Sequence, residues 1–162
     1  MLLRVGRRAP HLGRELDELH EKNVRIKTIG RTEKLPAGAQ KKLSESIQKT
    51  AANTGLTLTL ALNYGGRQEI LDACNRLLKE GVLRVDEKTF AQYLYAPEAP
   101  EPDLLIRTSG EMRISNFLLW QSAYTELYFT DILWPDFAPA DLDAAIECYT
   151  QRDRRFGKRN EA

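Results

Sequence analysis

The stretch Arg107-Thr-Ser-Gly-Glu-Met-Arg-Ile-Ser115 places two guanidinium groups and a hydroxyl within nine residues. A guanidinium is permanently charged and presents a planar fork of N–H donors, so a pair of them suits a multiply charged phosphate group. Arg107 directly follows the apolar run Leu104-Leu-Ile106, and Arg113 and Ser115 stand just before an aromatic-rich stretch with helical spacing. Free N–H groups at the start of such a helix would add to an anion cradle, and Ser115 can serve as its N-cap at the same time. Glu111, between the arginines, can hold one of them in orientation by ion pairing.

Two further places carry chemistry. Asn63-Tyr-Gly-Gly-Arg67 follows the longest β-rich run, and Gly65-Gly66 allows close backbone approach where the next helix starts. The same residues also read as a plain strand-to-helix turn. Glu126 interrupts an apolar run at the start of a strand. A lone carboxylate near a phosphate site suggests magnesium, which takes few protein carboxylates and several phosphate oxygens. Arg152, Arg154 and Arg155 read as a solvated helix end, favourable to the helix dipole.

These residues need a frame that brings strand ends together, and the hydrophobic spacing supplies one. Leu12, Leu16 and Leu19 mark a short helix, and Val24–Ile29 alternates with period two up to Gly30. A second helix carries Leu43, Ile47 and Ala51 on one face and stops at Asn53-Thr-Gly55. Leu56–Asn63 is nearly all apolar or Thr, which predicts a strand covered on both faces. Ile70, Ala73, Cys74, Leu77 and Leu78 give a third helix ending at Gly81, and Asp86 caps a short one containing Phe90, Tyr93 and Leu94. Pro97–Pro102 is a loop. Then come a strand at 103–106, a helix opened by Ser115 with Phe117, Trp120, Ala123 and Tyr124 on core or oligomer spacing, and a strand at 127–134. A last helix carries Leu142, Ala145, Ile146 and Tyr149. The fold class is α/β: a mainly parallel sheet flanked by helices, with right-handed crossovers. In such sheets ligands bind at the carboxyl ends of strands, which is where the two arginine-bearing loops fall. Residues 1–13, broken by Gly6, Pro10 and Gly13, read as a poorly ordered lead-in, and 14–162 as one domain.

Composition narrows the function class. The 162 residues hold 42% apolar and 29% charged side chains, which excludes a disordered tail. With 24 Lys+Arg against 23 Asp+Glu the net charge is +1, so nothing argues for a nucleic-acid partner. Cys74 and Cys148 are too far apart for a zinc knuckle and read as small apolar residues of a reduced, cytoplasmic protein. No apolar run approaches the roughly 20 residues a membrane span requires.

With these residues laid out, the chain resembles the cis-prenyltransferases, and among them the bacterial undecaprenyl diphosphate synthases. The likeness is carried by Asn53-Thr-Gly-Leu-Thr-Leu, Leu62-Asn-Tyr-Gly-Gly-Arg67, Asp103-Leu-Leu-Ile-Arg-Thr-Ser-Gly-Glu, Arg113-Ile-Ser-Asn-Phe-Leu-Leu-Trp-Gln, Glu126-Leu-Tyr-Phe, Trp134-Pro-Asp-Phe137 and Arg154-Arg-Phe-Gly157, in family order across 15–157. The resemblance implies that Arg107, Arg113 and Ser115 bind the diphosphate of isopentenyl diphosphate, supported by Glu111, Asn63, Gly65, Gly66 and Arg67. It implies that Glu126 helps hold Mg2+, and that Arg155 and Gly157 reach toward the partner's active site in a homodimer. The implied reaction extends farnesyl diphosphate with isopentenyl units in cis configuration, giving undecaprenyl diphosphate for the cell-wall lipid carrier. A cytoplasmic enzyme with peripheral membrane contact for its lipid product is the matching location.

The likeness stops short at the front. Family members open with a strand and an Asp-Gly-Asn-Gly-Arg segment whose aspartate serves magnesium and catalysis, and residues 1–30 contain nothing similar. The expectation is therefore a C-terminal portion of the family domain, with N-terminal strand(s) missing and weak activity alone. Two alternatives are a non-catalytic partner subunit of a cis-prenyltransferase and a generic phosphate-binding α/β module. An uncovered sheet portion should also expose an apolar edge prone to association.

Overall fold

The computed structural model describes residues 12–152, with side chains from residue 16 onward. Residues 1–11 of the lead-in, and Arg155 and Gly157, lie outside that range. The chain forms two compact units that divide between Pro97 and Glu98, within the proline-rich loop.

The first unit runs α1 (Leu12–Glu21), β1 (Arg25–Ile29), a 3₁₀ turn (Thr32–Lys34), α2 (Ala37–Thr50), β2 (Thr57–Ala61), α3 (Gly66–Lys79) and α4 (Glu87–Ala91). β1 and β2 are parallel, in register from Arg25↔Thr57 to Ile29↔Ala61. Val24, Ile26, Ile29, Ala61 and Leu62 are buried from the strands, and Ala73, Leu77, Phe90 and Leu94 from the helices. α3 ends as its residues predict, with Gly81 at φ +70° just past it. Asp86 caps α4 by accepting the Thr89 N–H at 2.7 Å.

Two expectations fail here for physical reasons. The buried positions of α2 are Ser46 and Thr50, while Leu43 and Ile47 are only half-buried and Ala51 is exposed beyond the helix. Thr50 is fully buried because its hydroxyl accepts the Ile26 N–H at 3.0 Å and donates to the Ser46 carbonyl at 2.9 Å. That hydroxyl occupies the edge of β1 turned away from β2, so α2 closes this edge through a polar atom. β2 is not covered on both faces: Thr57, Leu58 and Thr59 are all exposed. Among the described residues its only strand neighbour is β1.

Asn53-Thr-Gly55 does more than stop α2. The Asn53 amide donates to the Val24 carbonyl at 2.7 Å, and the Asn53 carbonyl accepts from Arg25 Nε at 2.8 Å. Asn23 accepts the Thr54 N–H, and the Gly55 N–H donates to the Asn23 carbonyl. A Cβ on Gly55 would stand 2.6 Å from that carbonyl oxygen, so the two strand entries approach as closely as glycine permits.

The second unit holds β3 (Leu104–Arg107), β4 (Glu126–Phe129), a 3₁₀ turn (Trp134–Asp136) and α5 (Pro139–Thr150). β3 and β4 are parallel, from Leu104↔Glu126 to Arg107↔Phe129, and α5 packs on both with Ala145 fully buried. The strands are parallel, β1 with β2 in the first unit and β3 with β4 in the second, as the α/β class requires. β4 ends at Phe129, five residues before Trp134. Its ladder stops there because the loop after β3 folds back: Gly110 N–H donates to the Thr130 carbonyl and Ser109 N–H to that of Ile132.

The predicted helix after Ser115 does not form. Residues 115–124 are turns and bends, with Ser115, Asn116 and Leu118 at φ +48°, +64° and +44°. Left-handed residues cannot continue a right-handed α-helix. Among the described residues no helix is long and apolar enough to cross a membrane.

Candidate functional site

In the second unit the site grows from the end of β3. Arg107 is the last residue of that strand, half-buried, and its Nε is a buried donor with no hydrogen-bond partner. A buried guanidinium N–H without an acceptor is costly, and an anionic ligand is the natural acceptor for it. The chain then turns sharply, with Ser109 at φ +70° and Gly110 at +67°. Among the described residues, four of the six non-glycine residues with positive φ (Ser109, Ser115, Asn116 and Leu118) fall within ten positions of one another. Such concentrated backbone strain is characteristic of ligand-binding loops. Glu111 pairs with Arg113, so the carboxylate holds that arginine of the two. Ser115 lies in a turn, and the helix N-terminus that was to assist it is absent.

Glu126 is not brought to this place. It opens β4, in register with Leu104, while Arg107 ends β3. Three residues of parallel strand separate the two levels, about 10 Å at roughly 3.3 Å per residue. Its Oε2 instead accepts Arg152 Nη1 at 2.7 Å, and Arg152 also donates to the Leu127 carbonyl at 3.0 Å. The hydrogen bond to Glu126 raises the Arg152 pKa further. Arg152 is therefore tied to β4 and is not the free helix end its sequence suggested. The described residues hold no group of three or more metal-ligating side chains. One carboxylate already engaged by an arginine does not by itself fit a magnesium ion.

In the first unit the structure builds a cluster that sequence spacing did not reveal. Arg31, just beyond β1, and Asn63, just beyond β2, bond reciprocally: Arg31 N–H to the Asn63 carbonyl at 3.3 Å, and Asn63 Nδ2 to the Arg31 carbonyl at 3.1 Å. Gly30, at φ +101°, makes this possible, because a Cβ there would lie 2.2 Å from the Leu62 carbonyl oxygen. The Arg31 side chain forks onto Asp72 of α3, Nε to Oδ2 at 3.1 Å and Nη2 to Oδ1 at 2.7 Å. Gln68 and the Tyr95 hydroxyl donate to the same carboxylate. The Arg31 guanidinium, foremost among these donors, holds Asp72 well below the usual carboxylate range, at about 2. Burial first, and then Asp72, push the Tyr95 phenol up to about 12. One turn earlier Glu69, 1% exposed, accepts the Tyr64 hydroxyl at 2.5 Å and the Tyr95 N–H at 2.9 Å. Gly65 caps α3 with extended backbone, Gly66 is buried at its first position and Arg67 is exposed.

Comparison with known proteins gives one answer. Residues 2–157 match the sequence family described as "Putative undecaprenyl diphosphate synthase". An isoprenyl transferase of Neisseria meningitidis serogroup A is 53% identical over 150 residues, covering 93% of this chain and 60% of the relative. That of Thermotoga maritima is also 53% identical over 150 residues, covering 90% and 64%. Among solved structures, lavandulyl diphosphate synthase from Lavandula x intermedia, in complex with dimethylallyl diphosphate, superposes with a TM-score of 0.86 at 39% identity. It is covered to 67%, and this chain to 91%. A probable undecaprenyl diphosphate synthase from Campylobacter jejuni gives 0.82 at 33% identity, with coverage of 69% and 91%. The chain spans about 60% of the length of the Neisseria relative.

Proposed function

The chain belongs to the cis-prenyltransferase family, and from that premise we propose that it carries the isopentenyl diphosphate half-site of a synthase that adds isopentenyl units to farnesyl diphosphate, giving undecaprenyl diphosphate. The observation that carries the reading is Arg107, whose buried Nε lacks an acceptor at the carboxyl end of β3. In this reading Arg107 and Arg113 grip the diphosphate, Ser115 donates a hydroxyl, and Glu111 orients Arg113. Fixing the diphosphate leaves the isopentenyl double bond aimed at the allylic carbon, a positioning task that supplies a large part of such a barrier reduction. The lavender enzyme, solved with dimethylallyl diphosphate, supports diphosphate recognition by this fold. Magnesium, a homodimer completed by Arg155 and Gly157, and a membrane-facing product rest on the family likeness.

The test is calorimetric titration of the chain with isopentenyl diphosphate and with inorganic pyrophosphate, beside Arg107→Ala. Tighter binding of the isopentenyl ester, weakened about 30-fold or more by the substitution, is expected, since a charge-assisted bond is worth about 2 kcal/mol or more. Equal affinity for both ligands, or indifference to Arg107→Ala, would remove the reading and leave a general phosphate-binding module. Turnover with farnesyl diphosphate, isopentenyl diphosphate and magnesium should be low, because the Asp-Gly-Asn-Gly-Arg segment does not occur in these 162 residues.

A further inference from the structure

Tyr95 belongs to none of the motifs above, yet it ties several parts of the first unit together. Its N–H donates to Glu69 Oε1 at 2.9 Å and its hydroxyl to Asp72 Oδ2 at 2.5 Å. Its ring meets that of Tyr64 edge to face, centroids 6.1 Å apart at 72°. The Arg76 guanidinium lies 5.9 Å from its centroid. The two carboxylates are themselves committed to residues just beyond strand ends. Asp72 holds Arg31, whose N–H donates to the Asn63 carbonyl; Glu69 holds the hydroxyl of Tyr64, the residue after Asn63. Both carboxylates belong to α3, one helical turn apart, so the Tyr95 backbone bonds one and its side chain the other.

A buried carboxylate such as Glu69 is expensive unless its acceptor sites are filled. Here donors reach it from Tyr64 and from the Tyr95 backbone. Packing alone would be served by an apolar residue at 69. The polar arrangement adds direction: the Tyr64 phenol is held by its hydroxyl as well as by its ring.

We propose that Tyr95 is a positioning residue, latching the loops that follow β1 and β2 onto α3 and so fixing Asn63–Arg67 in a single conformation. The latch lies wholly within the first unit and goes beyond the function proposed above without resting on it. Removing the hydroxyl in Tyr95→Phe keeps the ring on Tyr64 and the N–H on Glu69 but leaves Arg31 and Asp72 without their tie to residue 95. The loop should then sample more than one conformation within a folded unit.

The experiment is backbone ¹⁵N relaxation dispersion on the full chain, unmodified and as Tyr95→Phe, with Asp72→Asn as a second variant that breaks the same tie from the other side. Microsecond-to-millisecond exchange is expected to appear at Gly30, Arg31 and Asn63–Arg67 in both variants and to stay absent from the β1 and β2 amides. Loop amides as quiet as in the parent, or exchange spread evenly over the unit, would overturn the proposal in favour of simple packing.

Discussion

At the scale of single residues, the site divides by how its members are joined. Arg107, Glu111, Arg113 and Ser115 are neighbours in sequence, so their residue types and spacing alone point to an anion. Arg31, Asp72 and Tyr95 lie 41 and 23 positions apart, and only folding brings them together; Arg31 by itself reads as one more surface charge. Their electrostatics are testable. Asp72, held at about 2 by Arg31, has a lower pKa folded than its ordinary 3.8, so its stabilisation is complete above about pH 4 and lost as the pH falls toward 2. Tyr95, raised to about 12, works in the opposite sense: its contribution holds below pH 10 and is lost as the pH rises through 12. Urea unfolding followed against pH should show a plateau between these limits. Asp72→Asn should lower the plateau by about 1–2 kcal/mol and flatten its acid side. An acid limb unchanged by the substitution would place the loss of stability at other carboxylates.

At the scale of elements, a strand or helix was legible where its apolar periodicity coincided with its stops: Gly81 after α3, Asp86 before α4, the prolines between the units. Periodicity failed where backbone conformation decides. Phe117, Trp120, Ala123 and Tyr124 keep helical spacing, but Ser115, Asn116 and Leu118 adopt positive φ, and nothing in a hydrophobic pattern registers that. Nor does it register a polar atom closing a strand edge, as the Thr50 hydroxyl does. Replacing Thr50 by Val should strand the buried Ile26 N–H and cost about 1–3 kcal/mol, read as a shift in the urea midpoint; a neutral result would mean that the helix does not seal β1 in this way. Gly30 and Gly81 offer a sharper contrast. Both have positive φ, but an added Cβ at Gly30 meets the Leu62 carbonyl oxygen at 2.2 Å, whereas at Gly81 it meets nothing within 4 Å. Gly81→Ala should cost only the left-handed penalty, about 1–2 kcal/mol. Gly30→Ala should cost about 3 kcal/mol or more, because the strand ends must also separate. Similar losses at the two glycines would contradict the close approach of the loops.

At the scale of the whole molecule, burial and charge act together on association. β2 is exposed over Thr57–Thr59 and, among the described residues, pairs only with β1. Leu56, just before it, is 71% exposed, and Leu58 is exposed in its middle. An accessible strand with apolar side chains is a template for another chain, and a net charge of +1 supplies little repulsion to oppose contact. Composition alone indicated none of this: 42% apolar residues suffice for a core, and where they end up is set by how many faces the sheet has to cover. The chain should therefore associate with rising concentration in sedimentation velocity. Leu56→Lys removes exposed apolar surface and adds charge beside β2 without touching the core. It should shift the distribution toward monomer while leaving the unfolding midpoint within about 0.5 kcal/mol of the parent, as for an ordinary surface substitution. A parent chain that stays monomeric throughout the series would show that this strand is shielded in solution. Association unaffected by Leu56→Lys would instead move the contact to the second unit, where Trp134, Leu142 and Ile146 are also exposed.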